Sequence, residues 1–118
     1  MTLLLDTHLL LWAAFEPARL SSKATKTLQS RDVPLAFSLA SLWEGAIKTS
    51  RGRPDFSVNP GLLHRALLNE GLVEVPIRAS HIARVATLPW VHRDPFDRLL
   101  VAQAAEEQFT LLTVDATL

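Results

Sequence analysis

Four short apolar runs punctuate the chain, and helical stretches separate them. "TLLL" (2–5), "PLAFSLA" (34–40), "LVEVPI" (72–77) and "FTLLTV" (109–114) largely lack the in–out alternation of a half-exposed strand, so they read as strands buried on both faces. Between them lie helical patterns with recognisable ends. Residues 7–15 form one, stopped by Pro17; "LSSKATKTLQS" (20–30) has Ser21 or Ser22 as N-cap. "SLWEGAIKTS" (41–50) starts at Ser41, and "GLLHRALLNEG" (61–71) stops at Gly71 after the loop "RGRPDFSVNP". "ASHIARVATL" (79–88) ends at Pro89, and "DPFDRLLVAQAAEEQ" (94–108) carries Pro95 in its first turn. Strand, two helices, strand, repeated to a fourth strand, predicts an α/β fold with right-handed crossovers and a parallel sheet between helical layers.

With 118 residues and 48% hydrophobic content, the chain suits one domain with its own core. It has no cysteine, which excludes disulfides and thiolate metal sites. Twelve basic and twelve acidic residues balance to zero, so any nucleic-acid role rests on a local patch or on bound metal. The N-terminus lacks the basic region of a signal peptide, and no run is long enough to span a membrane; a soluble, cytoplasmic protein is expected.

Parallel sheets present ligands beyond the C-terminal ends of their strands. Asp6 ends the first predicted strand and Asp115 follows the fourth, while Glu44 and Asp97 open helices. Each also has an ordinary reading. "SLWE" matches a capping box, with Glu44 reaching back to Ser41. In "DPFD", Asp94 is a natural N-cap and Asp97 sits in the favoured first turn. Asp115 could serve a turn. Asp6 is hardest to explain this way, because apolar residues flank it on both sides. Together, converging carboxylates would repel and raise one another's pKa, and a divalent cation would relieve them. Oxygen ligands suit Mg²⁺ or Mn²⁺. Neutralising Asp6 is accordingly expected to stabilise the metal-free fold. His8, His64, His81 and His92 are scattered and read as surface or packing residues, with His8 nearest the acids. Trp12, Trp43 and Leu99 read as core.

"LLLDTHLLLW", "SLWEGAIK", "LPWVHRDPFDRLLVAQA" and "LLTVDATL" together, in this order, resemble the PIN-domain nucleases, and in particular the VapC-type toxins of bacterial type II toxin–antitoxin systems. The resemblance implies a single PIN domain over 1–118, a three-layer α/β/α fold with a central parallel sheet of four strands where the family normally has five. It implies Asp6, Glu44, Asp97 and Asp115 as catalytic and metal-binding acids, with Asp94 secondary and Thr113 as the hydroxyl residue preceding the last acid. It further implies a Mg²⁺- or Mn²⁺-dependent endoribonuclease acting through metal-activated water, a cognate antitoxin, and a homodimer. Such toxins continue past the fourth acid with a short helix and an edge strand, whereas this sequence stops at Leu118, so an open sheet edge or a missing segment is expected. RNA contacts are expected from Lys48, Arg51 and Arg53 in "KTSRGR" and from Arg93 and Arg98 beside "DPFD", though a solvated face would read the same. Leu9, Trp12, Trp43 and Ile47 are candidates for an antitoxin groove or equally for core. Two rivals differ in class. A phosphotransfer domain would want a second Asp two residues after the first, where His8 stands; a catalytically silent PIN-like binding module would predict a lost acid.

Overall fold

The computed structural model describes residues 1–30, 32–52, 57–89 and 94–113. The elements run β1 (Leu3–Leu5), α1 (Thr7–Phe15), a 3-10 turn (Pro17–Arg19), α2 (Ser22–Gln29), β2 (Leu35–Ser38), α3 (Leu39–Ser50), α4 (Pro60–Asn69), β3 (Val73–Val75), α5 (Ala79–Val85), α6 (Pro95–Glu107) and β4 (Thr110–Leu112). All strand pairs are parallel, in the order β3-β2-β1-β4. The α/β architecture and the order of elements agree with the sequence reading. Among the described residues, no helix is long and apolar enough to cross a membrane.

The central strands are largely apolar because each side of the sheet is covered, while edge strand β3 carries Glu74 and an exposed Val73. Leu5 and Phe37 pack with Leu9, Leu10, Leu42, Leu63 and Leu67 of α1, α3 and α4. Leu4, Ala36 and Val75 pack with Leu100 and Ala104 of α6. Adjacent residues of β1 thus belong to different layers, as the period of two demands. Burying each such Leu contributes roughly 1.5–3 kcal/mol.

Local chemistry sets the element ends. Asn59 caps α4, whose chain then reverses at Gly71 with φ 84°, a conformation glycine adopts without strain. Ser21 caps α2 as expected. The third helix departs from the sequence reading. It begins at Leu39, not Ser41, because Ser38 at the end of β2 is its N-cap and accepts from the Ala40 N–H at 3.0 Å. Ser41 is therefore inside the helix, and the capping-box reading of Glu44 fails. Helix α5 ends at Val85 and passes into a turn, earlier than expected.

His81, fully buried, clasps the second layer. Its Nδ1 accepts from the Arg78 N–H at 3.0 Å, and its Nε2 lies 3.2 Å from Glu107 Oε1 on α6. Arg84 and Glu106 add an ion pair at 3.2 Å between the same helices. His64 pairs with Glu74 of β3, so both are packing histidines as read from the sequence. His92 lies outside the described residues.

Candidate active site

The strand order reverses at β1: β2 lies on one side of it and β4 on the other. A crevice opens beyond the strand ends at such a switch point. Asp6 is the residue immediately after β1 and stands at this point, only 1% exposed. Its backbone N–H donates to the Leu112 carbonyl at 3.0 Å, which ties it to the end of β4. Its side chain is the N-cap of α1 and accepts from the Leu9 N–H at 2.7 Å. The other carboxylate oxygen accepts from the Thr113 hydroxyl. A carboxylate among leucines is held there by hydrogen bonds from a helix N-terminus and a hydroxyl.

Glu44 reaches the site from α3 and is 7% exposed. Its Oε2 lies 3.3 Å from Lys48 Nζ, one turn along the helix. Its Oε1 is buried without a hydrogen-bond partner. Thr7 and Ser41, both buried, join α1 to α3 through their hydroxyls at 2.9 Å. This bond fixes the two helices that carry Asp6 and Glu44. The sequence reading spent Ser41 on a cap and so missed it.

Asp97 comes from the opposite layer. Helix α6 precedes a parallel strand and must start at the strands' C-terminal edge. Asp94 is its N-cap, accepting from the N–H groups of Phe96 at 2.8 Å and Asp97 at 3.2 Å. Burial holds the Asp97 carboxyl above its usual value of 3.8; Asp94, Glu44 and Asp6 push it further up, while His8 pulls it down. Glu44 and Asp6 therefore both act electrostatically on Asp97. Asp115 lies outside the described residues.

Among the described residues, no three His, Asp or Glu side chains already stand as a ligand set for an ion. Asp6 is turned to Thr113 and Glu44 to Lys48. The donor chemistry nevertheless fits a hard divalent cation. A buried, unpartnered Glu44 oxygen and a carboxyl strained by like charges are both relieved by one cation bound by oxygens.

The basic residues divide. Arg98 is corrected: it is 6% exposed, and its guanidinium donates to the carbonyls of Pro89 at 2.9 Å, Val85 at 2.9 Å and Leu88 at 3.4 Å. It satisfies the last carbonyl of α5 and those of the turn after it. Lys48 lies at the site, and Arg51 is exposed just beyond α3. Arg53 and Arg93 lie outside the described residues.

Of the residues read as core or groove, Leu9 is core, while Trp12, Ile47 and Leu99 are half-buried. Trp12 has the Arg19 guanidinium 5.4 Å from its ring centre. With Leu9, Arg19, Ala24, Leu112 and Thr113 it lines a groove of about 450 Å³ that ends at the hydroxyl bound to Asp6. Trp43 is corrected: it is 55% exposed and packs edge-to-face on Phe96.

The chain is similar to known proteins over nearly its full length. Residues 3–118 match the family model of the PIN domain. The chain is 35% identical over 118 residues to Ribonuclease VapC22 of Mycobacterium tuberculosis, an alignment covering 99% of this chain and 89% of that protein. Its fold is similar to the crystal structure of VapBC2 from Rickettsia felis bound to a DNA fragment from their promoter, with a TM-score of 0.70 at 16% identity over 98% of this chain and 88% of that one. It is also similar to a toxin–antitoxin complex from Klebsiella pneumoniae, with a TM-score of 0.62 at 17% identity over 95% and 85% of the respective chains.

Proposed function

The chain belongs to the PIN-domain family, and from that premise we propose that it is a metal-dependent endoribonuclease toxin neutralised by a cognate antitoxin protein. The observation that carries the reading is that acids from three elements meet at the C-terminal edge of a parallel sheet, where burial first, then Asp94, Glu44 and Asp6, raise the Asp97 carboxyl. Asp6, Glu44 and Asp97, with Asp115, would hold one or two Mg²⁺ or Mn²⁺ ions; Asp94 serves the helix first. Such an ion, when bound, supplies Lewis acidity and an acidified water for phosphodiester hydrolysis.

The chain's own residues set up the rest. Thr113 and the α1 N-terminus hold the Asp6 side chain in place. The Thr7–Ser41 bond holds Glu44 in register with it. Lys48, paired with Glu44 when no cation is present, is placed to meet a phosphate oxygen once Glu44 is otherwise engaged. Arg51, with Arg53 and Arg93, would add positive charge for RNA binding.

Two partner surfaces belong to this reading. The groove between α1 and α2 ends beside Asp6, so an antitoxin segment seated there would cover the acids. Exposed Val73, Ile77 and Ile82, on or beside edge strand β3 and on α5, supply an apolar face for a second copy in a homodimer. The similarity to a ribonuclease VapC supports the substrate class, and the absence of cysteine and of membrane-spanning helices among the described residues suits a cytoplasmic site of action.

The test is cleavage of single-stranded RNA with and without Mn²⁺ by wild type, Asp6→Asn and Asp97→Asn. Cleavage by wild type alone, and only with metal, is expected. Equal cleavage by all three would place the chemistry elsewhere, and cleavage by none would leave the catalytically silent binding module.

A further inference from the structure

Trp43 is a large apolar side chain left 55% exposed beside a charged site. Its ring meets Phe96 edge-to-face, with centroids 4.9 Å apart at 73°. Each ring immediately precedes an acid: Trp43 precedes Glu44 on α3, and Phe96 precedes Asp97 on α6. The aromatic pair therefore joins the same two helices whose carboxylates act on one another. Successive helical residues fan out by about 100°, so the indole stands on the flank of the acid, not beneath it.

Resting on the nuclease reading, we propose that Trp43, backed by Phe96, is the stacking platform for one unpaired nucleobase next to the scissile phosphate. Three observations favour a base over another occupant. The chain has no net charge, so no global field draws the RNA backbone in, and contacts beside the acids must add to affinity. Arg98, beside the acids in sequence, is spent on backbone carbonyls, which takes one cation away from phosphate contact. Edge-on support from Phe96 steadies the indole while much of its surface stays open, the condition a base needs in order to stack. Every base has a π face, so the platform tolerates sequence but requires a base free of its duplex. It thereby selects single-stranded or looped RNA.

The experiment uses the full chain, a single-stranded RNA, and the same RNA with one abasic nucleotide placed in turn on either side of the cleaved bond. Trp43→Ala is expected to raise KM about tenfold or more while leaving kcat within about threefold, and Trp43→Phe to recover most of the loss. One abasic position should cost wild type a similar factor and cost Trp43→Ala nothing more. An unchanged KM in Trp43→Ala, or a full abasic penalty retained by it, would overturn the platform. A loss in Trp43→Ala that accompanies dissociation of a dimer in sedimentation would assign the ring to a protein interface instead. If wild type cleaves no RNA, the nuclease reading fails by itself. Anisotropy binding of the same RNAs then decides the platform: an abasic penalty present in wild type and absent in Trp43→Ala supports it, and equal penalties reject it.

Discussion

Asp6 and Asp97 face the same problem, a carboxylate at the buried end of a sheet, and meet it differently. Asp6 accepts from a helix N-terminus and from Thr113, so its charge has partners within the chain. Stabilisation on neutralising Asp6 is therefore no longer the natural expectation. Asp97 is the group held above its ordinary value of 3.8, by burial first and then by Asp94, Glu44 and Asp6. The folded chain thus binds this proton more tightly than the unfolded one. Below the unfolded value both states are protonated and nothing is lost; as pH rises through the raised value, ionisation costs the fold stability, and the cost persists at neutral pH. Asp97→Asn is expected to raise the metal-free melting temperature by a few degrees at pH 7, a gain that vanishes by about pH 3. Thermal unfolding across that range checks it. Arg98 shows what sequence hides at this scale. Beside "DPFD" it reads as a phosphate contact, but which way a guanidinium turns depends on carbonyls contributed by another element. Arg98→Ala should cost about 2–4 kcal/mol in denaturant unfolding, because it strips partners from part-buried carbonyls.

Elements were legible where one signal stood alone and misplaced where two competed. Gly71 stops α4 without a rival signal, and the helix ends fall within a residue or two of expectation. Ser38 and Ser41 both offer a hydroxyl three residues before a helical turn. The structure gives the cap to Ser38 and turns Ser41 onto Thr7, which moves Glu44 from a capping role into the site. Only packing between α1 and α3 makes that choice, and no local motif encodes it. The far end of α6 carries a different signal. Gln108 closes the helix in the left-handed region at φ 58°, a conformation costly for residues with a Cβ. Gln108→Gly should stabilise the protein by about 1 kcal/mol without affecting RNA cleavage, read by thermal unfolding and activity side by side.

At the scale of the molecule, topology brings together what lies far apart in the chain. Parallel pairing in the order β3-β2-β1-β4 sets the end of β4 beside Asp6, and the return path of α6 delivers Asp97 from the other layer. The apolar runs and the order of elements were enough to predict a parallel sheet between helical layers, but not the order of its strands. What they could not convey is how each acid is occupied without metal: Asp6 by Thr113, Glu44 by Lys48 on one oxygen and by nothing on the other. These details make the central claim, that the acids form one cation site, directly measurable. Mn²⁺ uptake followed by electron paramagnetic resonance should show binding to wild type, and binding weakened at least about tenfold in each of Asp6→Asn, Glu44→Gln and Asp97→Asn. Equal uptake by wild type and all three variants would contradict the claim.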